Sequence, residues 1–303
     1  MTDWRTRQAS PIRTIGLVAP GHALAPDAIA RGTERLRALG FESKHFLPDM
    51  AAQSGRLAAT DAQRAALLVA ALDDPSTDAV MAVCGGYGTT RLLPHLPPGL
   101  FHRRSKPLIG YSDVTALLLL ARAGGAQAIH GPMVKDLAGK ISSRSVDALV
   151  ALLRGDVESY SAMFRLATTD VNLCGTPVAG PLIGGNLSVM AATAGTAWAA
   201  PLPLGSLVFF EDWNEPAYSV DRMLVQVQQA GVFDHAAATV VGHLTNVVGE
   251  SEQLGTSLTS RVGRLAPPGS ALVTGLPVGH AEPNLAVLQG ARYAVADGRL
   301  QPA

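Results

Sequence analysis

Apolar residues fall along this chain in two alternating rhythms. Short unbroken runs of strand length occur at Thr14–Pro20, Ala79–Cys84 and Pro107–Gly110. Between them, Asp27–Leu39 and Thr60–Leu72 space their apolar residues as one face of a helix requires. Phe41–Phe46 and Ala126–His130 add strand candidates, and Thr89–Leu93 a short helix. Strands spaced by helices of this size predict an α/β fold, a parallel sheet covered on both faces. Ligands of such sheets bind beyond the carboxyl ends of the strands.

The pattern changes after Arg154. Residues 156–177 are polar and weakly patterned, as a linker would be, and separate a domain at 1–155 from one at 178–303. The second stretch offers strands at Pro181–Ile183, Ser206–Phe210, Ala238–His243 and Ala271–Thr274, with helices at Asn186–Ala194 and Val220–Ala230. A smaller second α/β domain is therefore expected.

Composition narrows the class. The 303 residues are 48% hydrophobic and only 16% charged, enough for a large core. Basic and acidic residues balance at 24 each, so no field for nucleic acid or a membrane surface is expected. Apolar runs are too short to span a bilayer. The first residues carry charge without an apolar signal core, which predicts a cytoplasmic protein. Cys84 and Cys174 make neither a disulfide framework nor a zinc site.

Three segments concentrate chemistry. In Pro107-Leu-Ile-Gly-Tyr-Ser112-Asp113 a strand turns sharply into a helix. That turn can hold a nucleophilic serine beside backbone N–H groups, although Val114 replaces the last glycine of G-x-S-x-G. From this segment alone, a helix cap is the simpler reading of Ser112. In Phe209-Phe-Glu211-Asp-Trp-Asn-Glu215 a buried-type strand ends in carboxylates, and Gly275–Asn284 is a turn-rich loop holding His280. A serine nucleophile needs a histidine base, and the base a carboxylate to orient it. Ser112, Glu211 and His280 supply one each, with Asp212 and Glu215 as rival carboxylates and His130 and His243 as rival bases. No clustered ligand spacing implies a metal. Gly85-Gly-Tyr-Gly88 lacks a nucleotide fingerprint, so no cofactor is expected and a nucleotide-dependent oxidoreductase is disfavoured. Its glycines could instead present N–H groups to an oxyanion.

Taken in order, these pieces resemble the serine LD-carboxypeptidases of peptidase family S66, cytoplasmic enzymes of muropeptide recycling. The matching segments are Gly85–Gly88 with Arg91-Leu-Leu, Gly110-Tyr-Ser-Asp-Val-Thr115, His130-Gly-Pro-Met133 and Gly184-Gly-Asn-Leu-Ser188. Glu211-Asp-x-Asn-Glu215, Val220-Asp-Arg-Met-Leu224 and Gly279-His280 follow. The resemblance implies a Rossmann-like N-terminal domain, a smaller C-terminal domain, an active site at their interface, and a homodimer. It implies Ser112 as nucleophile, Glu211 as orienting carboxylate and His280 as base, with an oxyanion hole at the Gly86 and Asp113 N–H groups. The implied substrate is a murein tetrapeptide, which loses its terminal D-alanine. An exopeptidase also needs a carboxylate clamp, for which Arg91 and Arg222 are candidates.

The chain departs from the family pattern at Cys84, where many relatives carry Arg, and at Ala19-Pro-Gly-His22, where a Ser-rich turn is usual. Two other readings fit the same scaffold. One is immunity to a peptide–nucleotide antibiotic, with Trp213 or Trp198 as a base platform. The other is a non-catalytic muropeptide sensor.

Overall fold

The computed structural model describes residues 12–49, 55–165, 170–172, 178–296 and 299–303. Strands β1 (Thr14–Val18), β2 (Glu42–Phe46), β3 (Ala79–Ala82), β4 (Leu108–Gly110) and β5 (Ala128–His130) run parallel in the order β5-β4-β3-β1-β2. β3 and β4 are buried at every residue, as their unbroken apolar runs predict for a sheet covered on both faces. β2 is the exception: an edge strand whose Glu42, Lys44 and His45 blunt it against further pairing.

Helices α1 (Pro26–Ala38) and α2 (Asp61–Asp73) link the first strands. Thr60 and Gln63 close a capping box at the start of α2, satisfying two otherwise orphaned backbone donors. α3 (Thr115–Ala123) follows β4, while α4 (Val134–Leu137) and α5 (Ser143–Arg154) follow β5. The periodicity reading left those last two out.

The expected linker is not featureless. It contains α6 (Val157–Arg165) and the short strand β6 (Asp170–Asn172), which opens the second sheet. β7 (Val178–Asn186), α7 (Leu187–Thr193), β8 (Ser206–Trp213), α8 (Ala217–Gln229), β9 (Ala236–Thr245), α9 (Leu258–Leu265) and β10 (Ala271–Thr274) build its parallel centre. The next strand, β11 (Val287–Leu288), leaves that sheet and pairs antiparallel with β5 of the first. β12 (Arg292–Ala296) and β13 (Arg299–Pro302) return to the edge beside β7. Among the described residues the second sheet has seven strands, against six in the first, so the sheet of the second domain is not the smaller one.

The chain is a two-domain α/β fold with parallel-rich sheets. One apolar cluster includes Leu17, Met81 and Ile109 from the first sheet and Leu182, Leu207, Phe209 and Val240 from the second. Each such side chain contributes about 1.5–3 kcal/mol on burial, so this shared core clamps the carboxyl ends of β4 and β8 together.

Candidate active site

The site begins at the end of β4. Tyr111 is still extended, but Ser112 turns into the left-handed region at φ 60°, and a one-turn 3-10 helix follows before α3. Among the described residues the two other non-glycine residues at positive φ are asparagines, which tolerate it better. Holding serine there costs on the order of 1–3 kcal/mol. The hydroxyl does not cap the helix. Ser112 Oγ instead lies 3.1 Å from His280 Nε2.

Glu211 is the sixth residue of β8 and is fully buried. Its Oε2 lies 2.6 Å from His280 Nδ1. A carboxylate can only accept here, so Nδ1 carries the hydrogen and Nε2 is free to accept from Ser112. Gly279, at φ 120°, lets the loop pass this carboxylate, because a Cβ there would sit 2.7 Å from Glu211 Oε2. The loop is pinned from both halves of the molecule. Gly279 N–H donates to Asn284, and Asn284 N–H to Ser145 Oγ. Glu282 accepts from the Ser142 and Ser145 hydroxyls at 2.7 and 2.6 Å.

Two rings frame His280. Tyr111 meets it tilted, with centroids 5.0 Å apart, and Trp213 stacks over it at 6.0 Å and 20°. Burial alone favours a neutral His280, but the Glu211 hydrogen bond and charge, with Asp212 and Asp136 beyond, raise its pKa above the ordinary value.

Opposite the serine stands the glycine turn. A Cβ on Gly85 would come 3.0 Å from Ser112 Cβ, so the two turns are in direct contact. Gly86 takes φ 93° against the His22 ring. Among the described residues the Gly86 N–H has no acceptor. The Asp113 N–H begins a 3-10 turn, where backbone donors lack intrahelical partners. The buried Asp113 carboxylate accepts from Thr89 N–H at 2.8 Å and Thr89 Oγ1 at 2.5 Å.

Sequence reasoning missed Arg64, whose side chain is fully buried inside α2. It donates to the carbonyls of Pro20, Ala59 and Gly88 and to Asp61, tying together the loops around the glycine turn. No local motif announces a buried strut of this kind. The departures from the family pattern meet here as well. Cys84 donates to the His22 carbonyl at 3.2 Å, and burial pushes its thiol up to about 12, so it is inert. Cys174 lies outside the described residues.

The rival residues have other work. Asp212 accepts from Asn186 and from the Ser188 and Trp213 N–H groups, fastening α7 to β8. His280 pairs with Glu211 rather than Glu215. His243 Nδ1 accepts from Ala281 N–H, behind the loop. His130 is wholly buried beside Phe209 and Tyr111. Neither expected clamp reaches the cluster among the described residues. Arg91 makes a two-point pair with Asp61, and Arg222 lies over the Tyr218 ring. Trp198 packs against the core around α3. No group of three or more His, Cys, Asp or Glu that could hold a metal occurs among the described residues. No helix there is long and apolar enough to cross a membrane.

Comparison with known proteins places the chain in a family. The chain matches the LD-carboxypeptidase N-terminal domain over residues 15–131 and the LD-carboxypeptidase C-terminal domain over residues 179–295. It is 32% identical to the murein tetrapeptide carboxypeptidase of Pseudomonas aeruginosa, over 77% of this chain and 76% of that one. The crystal structure of muramoyltetrapeptide carboxypeptidase from Oxalobacter formigenes superposes with a TM-score of 0.81 at 28% identity, covering 95% of this chain and 97% of that one. The microcin C7 self-immunity protein MccF of Escherichia coli is 24% identical, over 74% of this chain and 72% of that one. The chain belongs to the LD-carboxypeptidase family, peptidase family S66.

Proposed function

We propose that this enzyme removes the terminal D-alanine from murein tetrapeptides in the cytoplasm, as a step of peptidoglycan recycling. Ser112, His280 and Glu211 act as its triad, with residues 1–155 supplying the nucleophile and 178–303 the other two. The observation that carries the reading is the unbroken hydrogen-bonded line from Ser112 Oγ through His280 to the buried Glu211.

The chemistry follows from that line. His280 Nε2 takes the Ser112 proton as Oγ attacks the carbonyl joining the L-centre of the diamino acid to D-alanine. Glu211 stabilises the imidazolium that forms. The carbonyl oxygen becomes an oxyanion, and the Gly86 and Asp113 N–H groups donate to it; one such donor is typically worth about 3 kcal/mol of transition-state stabilisation. The carbon–nitrogen bond then breaks, and His280 returns its proton to the departing amine. D-alanine leaves, and an acyl ester remains on Ser112. Water, deprotonated by His280, attacks that ester and frees the tripeptide.

Incubation with L-Ala-γ-D-Glu-diaminopimelate-D-Ala or its lysine counterpart, followed by mass spectrometry of free D-alanine, tests the reading. Release by the wild type and none by Ser112→Ala is expected. No release from either peptide sinks it in favour of antibiotic hydrolysis or sensing.

A further inference from the structure

Two buried groups behind the triad lack partners among the described residues, and they are complementary. His130 is fully buried and neither ring nitrogen has a hydrogen-bond partner. Glu211 is equally buried; Oε2 serves His280, but Oε1 has no donor. A neutral imidazole always carries one N–H, and a carboxylate oxygen can only accept. Leaving either unmatched in an apolar interior forfeits its hydration without a compensating hydrogen bond.

Position brings the two together. His130 pairs with Gly110 across β4 and β5, two residues before the serine. Its ring meets the edge of Phe209 at 5.2 Å, and Phe209 lies two residues before Glu211 on β8. Tyr111 closes the other side at 5.8 Å. The charged or titratable groups facing this ring are Glu211 on β8, His280 on its loop and Tyr111 after β4.

We infer that His130 is a positioning residue whose ring N–H serves Glu211 Oε1 across one water, fixing the carboxylate that orients His280. Burial holds the ring neutral, lowering its pKa to about 4, so it can act as a donor without adding a second positive charge. The role rests on the triad proposed above. It explains why a polar side chain occupies a pocket otherwise suited to leucine or phenylalanine.

The test compares wild type, His130→Phe and His130→Gln, following D-alanine release across pH together with folded-state melting. His130→Phe keeps a ring of similar size and loses the donor; the glutamine amide can overlay the imidazole N–H. Without its donor the carboxylate becomes more basic and holds the His280 proton more tightly. The acid limb of kcat/KM should therefore move to higher pH, and kcat should fall roughly tenfold with KM nearly unchanged. His130→Gln should restore most of both. A folded His130→Phe enzyme with wild-type kcat and an unmoved acid limb overturns the inference. NMR titration of the His280 ring needs no substrate and separates the two readings. If the His280 pKa rises in His130→Phe while no variant releases D-alanine, the positioning role stands and the substrate assignment falls. If it does not move, the positioning role falls.

Discussion

Asp113 grips Thr89 twice, through the backbone N–H and through the hydroxyl, across the contact between the serine turn and the glycine turn. Each of those turns carries one of the two N–H groups assigned to the oxyanion. The grip therefore sets the distance between two donors that belong to different loops. Thr89→Val removes only the hydroxyl. Its expected effect is a loss of about 1–3 kcal/mol in stability, with a fall in kcat larger than any change in KM. Denaturant unfolding and steady-state kinetics check it, and a lowered KM with intact kcat would speak against the oxyanion placement.

Ser112 holds a conformation that serine disfavours. Ser112→Ala and Ser112→Gly both remove the hydroxyl, but only glycine accepts φ 60° without strain. The glycine variant should be more stable than the alanine variant by about 1 kcal/mol, read as a higher urea midpoint. Equal midpoints would mean that the turn relaxes when Oγ is lost.

His280 must be neutral to take a proton, and its pKa lies above the ordinary 6.5 because Glu211 outweighs burial. Activity should therefore climb with pH through a midpoint above that value. Glu211→Gln removes the charge, so the surviving activity should show a lower acid limb, at a rate down by roughly 10⁴. The same shift has a stability consequence. A raised folded-state pKa stabilises the fold below the unfolded value, and that contribution is lost as pH rises through the folded value. Wild type should lose more stability than Glu211→Gln over that window in urea titrations.

Arg64 is a buried cation with partners on three loops. Replacing it with methionine roughly keeps the length but leaves the carbonyls of Pro20, Ala59 and Gly88 without this donor, while Asp61 keeps Arg91. Each buried carbonyl left unsatisfied costs about 1–3 kcal/mol, so a clear drop in Tm is expected. A change below about 1 kcal/mol would place Arg64 among ordinary surface pairs.

Much of this was legible along the chain. Unbroken apolar runs give β1, β3 and β4 because strands buried on both faces have no polar side to show. Ser112, Glu211 and His280 stand out because each interrupts or follows such a run with a group that burial penalises. What stayed hidden depends on long-range contact. β11 is two residues long, too short for any period to register, and exists because β5 offers it an edge. Arg64 reads as the polar face of an amphipathic helix until three loops close over it. Arg91 and Arg222 could be read as a carboxylate clamp or as ordinary pairing residues, because a sequence does not show that Asp61 and Tyr218 already hold them.

The return of β11 to the first sheet makes the molecule a laced object and not two beads on a string. The strand that completes the first sheet begins seven residues after His280, and the strands beyond it go back to the second sheet. A cut at the connection near residue 155 would strip β5 of its neighbour and leave a raw edge where the stitch had been. The loop that carries His280 is thus held like thread drawn through two layers of cloth, and its tension vanishes if either layer is removed.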